Sequence, residues 1–334
     1  MRKLIANIWI LFFPIGLFAQ DIHWSQFDYN PIFQNPANTG FFSGGDYRFH
    51  SNYRDQWRSV TIPFQTMNFS GDAAGLLHDH LGLGAYFFHD VAGDGQFRTV
   101  EFLPSVSWRI NLTPDSAHIL RVGANLGINY RQFNADAFTF NSQWNGQNFD
   151  PSMATNELFM TQSRLNLTAG VGAVYELYKN KRERYYGGIG WFNINQPNQG
   201  FFGEEIPREH RLNLYGAADF KIDLDWDLMP SLQYNWQGTY HELIFGSRTR
   251  YIMNDRMGEY LAIVGGTYFR WADAVMVMGG VEWQNWWAGL SYDFNLSSLA
   301  VASRGRGGME ISVRYILKII KPSNQIFRVC PDYI

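Results

Sequence analysis

Apolar and polar residues alternate along residues 120–132 of the chain. Every second position is apolar, namely Leu120, Val122, Ala124, Leu126, Ile128 and Tyr130. A period of two indicates a β-strand with one apolar and one polar face. At about 3.3 Å per residue the stretch can cross a bilayer at a tilt, which takes roughly 9–11 residues. Because the pattern recurs to the end of the chain, the sequence predicts a transmembrane antiparallel β-barrel.

About fourteen segments alternate in this way, and the pattern defines their boundaries to within about two to four residues. The predicted strands are Asp46–Arg54, Gln65–Ala73, Leu81–Phe88, Thr99–Ile110, Ala117–Gln132, Arg164–Leu177, Arg184–Asn193, Arg211–Ile222, Trp226–Trp236, His241–Ile252, Glu259–Phe269, Ala274–Trp283, Trp286–Asn295 and Gly308–Leu317. Some segments, such as Leu261–Phe269, alternate only weakly. An even strand number with both ends in the periplasm is typical of single-chain bacterial barrels.

The connections between these strands differ in length in a regular way. If the first strand runs outward, every periplasmic connection is short. The long connections, residues 134–163, 194–210 and 296–307, all fall on the other side. Short periplasmic turns and long external loops are the expected asymmetry. We therefore predict that the barrel, residues 46–334, exposes these three loops outside the cell.

The predicted lumen carries charges of both signs. Arg and acidic residues recur at inward positions, for example Arg54, Glu101, Arg121 and Glu310. Barrels of eight strands are filled by side chains, and barrels of 16–18 strands hold a water channel. We expect long Arg and aromatic side chains to occlude most of the lumen. A pore with little ion selectivity is the alternative.

Two segments precede the barrel. Residues 1–19 are expected to be a signal peptide, with basic Arg2 and Lys3, an apolar stretch and cleavage near Ala19. Residues 20–45 hold two Asn-Pro steps, which impose turns, and interleaved aromatic residues. Such an apolar segment must bury itself, and we expect it at the periplasmic mouth or on a partner.

Composition supports the membrane class. Charged residues are 17% of the chain, against about 25% in average soluble proteins, and aromatic residues are also 17%. The mean hydropathy is −0.25, and after the signal peptide no apolar run approaches the length of a membrane helix. The net charge of −3 lacks the excess of positive charge that is typical of nucleic-acid-binding proteins. The single cysteine, Cys330, cannot form an internal disulfide.

The segment before the barrel and the first strand carry a motif. It consists of Ser25, Gln26, Phe27, Asn30, Pro31, Asn35, Pro36, Ala37 and Gly40, followed by Asn52, Arg54, Gln56 and Trp57. The motif resembles the opening of the PorP/SprF family of outer-membrane proteins of the type IX secretion system and gliding machinery. Further blocks at Gln196-Pro197, 291–295, 307–312 and Cys330-Pro331 resemble that family as well. The stretch 55–58 departs from its usual residues.

The resemblance implies a non-enzymatic role in the outer membrane of a Gram-negative bacterium. The protein would bind a large secreted adhesin that carries a C-terminal type IX secretion domain, and help to export or anchor it at the cell surface. Periplasmic ring proteins or a peptidoglycan-binding lipoprotein are further implied partners, besides outer-membrane lipid. No cofactor, catalytic residue or nucleic-acid partner is expected.

The loop 134–163 is the predicted cargo contact. It is long and rich in large apolar residues, a composition typical of interface anchors. The candidate contacts are Trp144, Phe149, Met153 and Phe159. The alternative is that this loop folds inward and plugs the barrel.

The sequence leaves two other function classes open. A passive channel for apolar solutes, similar to fatty-acid transporters, is the second candidate function. It needs a continuous apolar tunnel, whereas the predicted lumen is largely polar. An outer-membrane enzyme has no supporting motif. His78-Asp79-His80 could ligate a metal, but a polar periplasmic turn is the simpler interpretation, so no metal site is predicted.

Overall fold

Fourteen antiparallel strands close into one barrel. The computed structural model describes residues 21–319, apart from 57, 59–62, 94, 156, 158–160, 181, 257, 298 and 299. The predicted signal peptide and Cys330 lie outside the described residues. The predicted fold class is confirmed.

The observed strands agree with the predicted ones to within four residues at each end. They are β1 (Tyr47–Gln56), β2 (Phe64–Ala74), β3 (Leu81–Ala92), β4 (Phe97–Asn111), β5 (His118–Gln132), β6 (Ser163–Asn180), β7 (Glu183–Phe192), β8 (Arg211–Lys221), β9 (Trp226–Gln237), β10 (Tyr240–Asn254), β11 (Leu261–Arg270), β12 (Ala274–Trp283), β13 (Trp286–Asn295) and β14 (Arg306–Leu317). The largest difference is in β3, which continues from the predicted Phe88 to Ala92 because its ladder with β4 extends up to a tight turn.

Each strand pairs with its sequence neighbours, and β1 closes the barrel against β14. That seam runs from the pair Tyr47–Leu317 to the pair Asp55–Met309. A closed ladder leaves no sheet edge, so the backbone groups are satisfied inside the bilayer without water.

The alternation seen in the sequence separates the two faces of the wall. On β5, Leu126 points outward with 61% of its surface exposed, and its neighbour Asn125 is buried inside. Exposed tryptophans form a belt near each end of the barrel, as is usual at membrane interfaces. They are Trp108, Trp226, Trp283 and Trp286 at the end with short turns, and Trp191, Trp236 and Trp271 at the end with long loops.

The described helices are short. Three turns of helix precede the barrel, namely the 3-10 turn Phe27–Tyr29, α1 (Pro31–Gln34) and the 3-10 turn Pro36–Asn38. The long loops hold the 3-10 turns Ala135–Ala137 and Asn141–Gln143, and α2 (Ala300–Ser303). Within the described residues, no helix is long and apolar enough to cross a membrane.

Candidate functional site: a lumen filled by the N-terminal segment

The described residues before the barrel, 21–45, run through the lumen; we call them the plug segment. At the long-loop end, Asp21 forms an ion pair of 2.7 Å with Arg208, which lies in the loop between β7 and β8. At the other end, the backbone N–H of Asp46 donates to the carbonyl of Leu317 at the end of β14. The segment therefore extends from one mouth of the barrel to the other.

This position corrects the expectation that the segment lies at the periplasmic mouth or on a partner. Aromatic side chains and Asn-Pro turns need burial, and the lumen of a fourteen-stranded barrel offers it along its whole length. The occlusion expected of the lumen is present, but backbone and side chains of the plug segment complete it. Strand side chains alone do not.

Two residues of the plug segment anchor it near the long-loop end. The backbone N–H groups of Ser25 and Gln26 donate to the two carboxylate oxygens of Glu310, at 2.7 and 3.2 Å. The Ser25 hydroxyl donates to Asp293 at 2.6 Å. Arg54 bridges both carboxylates, at 2.7 Å to Asp293 and 3.2 Å to Glu310. We call these five residues, all buried, the outer lock.

Apolar packing holds the middle of the plug segment. Tyr29 stacks on Trp287 with ring centroids 4.3 Å apart, and Phe27 meets Tyr268 edge-on at 5.3 Å. Around them, strands β9–β13 contribute apolar side chains to the inner wall. The cluster also contains Met229, Ile244, Val264, Met276 and Met278. A second cluster joins Trp24 and Ile32 to Tyr86, Phe88 and Leu103.

This apolar cluster is a local departure from the polar lumen predicted from the sequence, whose inward charges Arg54, Glu101, Arg121 and Glu310 are buried as expected. Strand β11 faces lipid on one side and the plug segment on the other, so both of its faces are apolar. The weak alternation of Leu261–Phe269 is therefore the sequence signal of a strand that packs against the plug segment.

The two Asn-Pro steps bond the plug segment to strands β2, β6 and β7. Asn35 donates its amide to the carbonyls of Ala173 and Ile189, at 3.1 and 2.9 Å, and accepts from the N–H of Ala37. The side chain of Asn30 accepts a hydrogen bond from that of Asn68 on β2. Pro31 and Pro36 each occupy the first turn of a short helix, where a missing N–H costs nothing.

Gly40 makes a tight turn near the end of the plug segment possible. Its φ of +71° lies in the left-handed region, and an added β-carbon would overlap the backbone of Gly82. Its N–H donates to Asp72 at 2.6 Å, and the same carboxylate pairs with Arg48 of β1. Glycine is therefore required where the segment turns into the first strand.

The first-strand motif joins the same network in part. Asn52 donates its side-chain amide to Glu310 at 3.1 Å and its backbone N–H to the side-chain oxygen of Asn68 at 2.9 Å. Gln56 lines a cavity at the long-loop end. Trp57 lies outside the described residues.

Charged groups of the plug segment are neutralised by the wall. Asp28 pairs with Arg248 at 3.1 Å and accepts a hydrogen bond from the Tyr268 hydroxyl at 3.0 Å. Burial alone raises the pKa of Asp21, but the guanidiniums of Arg208 and Arg211 outweigh it and lower the pKa to about 2. Sequence reasoning did not identify these partners, because each pair joins distant parts of the chain.

The long external loop lies outside the lumen where the structure describes it. Trp144 and Phe149 face each other across a small antiparallel bridge. Their side chains are 56% and 45% exposed, and Met153 is 37% exposed. Phe159 lies outside the described residues. The plug segment occupies the space that an inward-folded loop would need.

The turn with His78 and His80 stacks on an aromatic ring. The His78 ring lies 5.0 Å from that of Trp108. Among the described residues, no group of three or more His, Cys, Asp or Glu side chains is placed to hold a metal ion.

The closed wall, lipid-facing apolar surface and tryptophan belts define an outer-membrane β-barrel, and the plug segment makes it an occluded one. Residues 17–315 match the model of the type IX secretion system membrane protein PorP/SprF family. The chain therefore belongs to that family, as its motifs predicted.

Solved structures share the barrel fold. The toluene transporter TbuX of Ralstonia pickettii superimposes with a TM-score of 0.51 at 9% identity, over 86% of this chain and 94% of its own. The toluene transporter TodX of Pseudomonas putida gives 0.50 at 10% identity, over 85% and 92%. At such low identity the likeness concerns the fold alone. No curated protein matches the sequence.

Proposed function

We propose that this protein is a non-enzymatic outer-membrane component of type IX secretion that binds a large secreted adhesin and helps to export or anchor it at the cell surface. The observation that carries the proposal is an exposed aromatic hairpin, built on Trp144 and Phe149, on the outer loop of a barrel with a filled lumen. A filled lumen supports a role in binding more than a role as an open conduit. The cargo would carry a C-terminal type IX secretion domain.

Binding at the outer loop can be tested by removing the two rings. We expect the double substitution Trp144→Ala and Phe149→Ala to reduce surface-retained adhesin strongly, because interface anchors of this kind contribute about 2 kcal/mol or more. Retention is measured by antibody labelling of intact cells. The melting temperature of the barrel stays unchanged, since both side chains lie outside its packed interior.

A matched control removes an exposed apolar side chain from the neighbouring loop. Ile206 is 49% exposed, and Ile206→Ala should leave retention at the wild-type level. If the double variant retains as much adhesin as the wild type, the loop is not the cargo contact.

A passive channel for apolar solutes is the second candidate. The apolar clusters of the inner wall and the barrel shared with two toluene transporters support it. In this reading the plug segment would have to leave the apolar wall before a solute could pass. Liposomes with the full-length protein that take up toluene would favour this function over cargo binding.

A further inference from the structure

A cavity of about 450 Å³ opens at the short-turn end of the barrel. Its inner end is formed by Asp28, Tyr29 and Pro31 of the plug segment, and its rim includes Tyr260 and Gln284 near the turns. We call this cavity the vestibule. Because short turns face the periplasm, the vestibule opens toward that compartment.

Arginine side chains supply most of the exposed charge in the vestibule. The exposed fractions are 31% for Arg184, 26% for Arg314 and 23% for Arg250. The carboxylates that pair with them are less exposed, at 21% for Asp219, 12% for Glu282 and 1% for Asp227. Asp219 and Glu282 also line the cavity. Because their side chains are less exposed than those of the arginines they pair with, arginine dominates the charge that the cavity presents.

A buried donor without a partner lies in the same wall. The side chain of Arg248 is 8% exposed and pairs through one terminal nitrogen with Asp28 at 3.1 Å. Its Nε has no hydrogen-bond partner among the described residues, and neither has the Nε of Arg314. Both side chains line the vestibule. A buried guanidinium N–H that has no acceptor raises the free energy of the folded protein, and a ligand oxygen that accepts its hydrogen bond removes this cost.

We propose that the vestibule binds a carboxylate-bearing peptide segment of a periplasmic partner. Fixed arginine forks match a carboxylate with two parallel hydrogen bonds. The aromatic rings of Phe41 and Phe42, which also line the cavity, suit the aliphatic parts of a peptide. The volume exceeds that of a single small anion.

The position of the vestibule argues against a lipid headgroup as its ligand. The closed wall of fourteen strands separates it from the bilayer, so a phospholipid cannot reach it sideways. A soluble peptide can enter from the periplasm. This inference extends the proposed function to a periplasmic partner, and it stands on residues that do not touch the outer loop.

The test uses the full-length protein in nanodiscs and a fluorescent peptide of six glutamates, with binding followed by anisotropy. We expect saturable binding that weakens as salt is raised. The double substitution Arg184→Gln and Arg314→Gln should weaken it at least tenfold, since it removes the two most exposed guanidiniums of the vestibule.

Arg109→Gln is the matched control. Arg109 lies at the same end of the barrel but outside the vestibule, where it bonds to Asn111 at 2.9 Å. This variant should bind the peptide within twofold of the wild type. Heat-modifiable mobility on gels verifies that each variant is folded.

Three outcomes would overturn the proposal. They are absence of peptide binding, equal weakening by the control, and competition by inorganic phosphate as strong as that by unlabelled peptide, which would indicate a simple anion site. Adhesin retention by the Arg184/Arg314 variant is measured in parallel. Loss of peptide binding with normal retention separates this site from the cargo function.

Discussion

At the scale of single residues, neighbouring positions of the barrel wall face two different environments. Leu126 faces lipid, whereas Asn125 lies in a lumen that the plug segment has already filled. From the sequence alone, an arginine at position 125 would be expected to be mild, because a polar lumen tolerates charge. The structure changes that expectation, since little room remains beside Asn125 for a longer side chain.

The lipid face can be tested at Leu126. We expect Leu126→Arg to impair insertion, because an arginine on the lipid face costs roughly 2–4 kcal/mol near the bilayer midplane. Leu126→Phe keeps an apolar group in lipid and should insert normally. The folded fraction is read from heat-modifiable mobility on gels, and equal damage by both substitutions would contradict the assigned face.

Asp21 gives a second prediction at this scale. Its pKa is about 2 in the folded protein and near 4 in an unfolded chain. Its contribution is therefore fully present above about pH 4 and is lost as the pH falls toward 2, with a size on the order of 2 kcal/mol. We expect Asp21→Asn to remove this part of the acid dependence of the unfolding free energy. A wild-type and a variant curve that stay parallel between pH 5 and 2 would contradict it.

At the scale of elements, the plug segment and the barrel stabilise each other without sharing a sheet. The ladder hydrogen bonds of the strands are complete without residues 21–45. The outer lock and the stack of Tyr29 on Trp287 are lost when the segment is absent. Insertion and stability should therefore respond differently to its removal.

Deleting residues 22–43 while keeping the signal sequence tests this separation. We expect the variant to insert into the outer membrane, to melt at a lower temperature and to conduct ions in planar bilayers, because the lumen is vacated. A variant with a Gly/Ser linker of equal length in place of these residues should show the same lower melting temperature. Unchanged conductance in the deletion variant would show that other parts of the chain fill the lumen.

At the scale of the whole molecule, the two ends of the barrel present different surfaces. The long-loop end carries the aromatic hairpin, and the short-turn end opens into the arginine-lined vestibule. The outer lock lies near the long-loop end and joins Ser25 and Gln26 of the plug segment to β1, β13 and β14. These surfaces are joined by one continuous plug segment, whose ends are held by Asp21 at one mouth and by Gly40 near the other.

The sequence by itself determined the strands, their number and the end of the barrel at which the long loops lie, because a period of two is a local property of each segment. It also showed the family through short ordered motifs. The tertiary structure decided where residues 21–45 lie, because their contacts join distant parts of the chain. Ser25 and Glu310, for example, are separated by 285 positions. No local pattern encodes such a pairing, and only the closed barrel brings the two residues together.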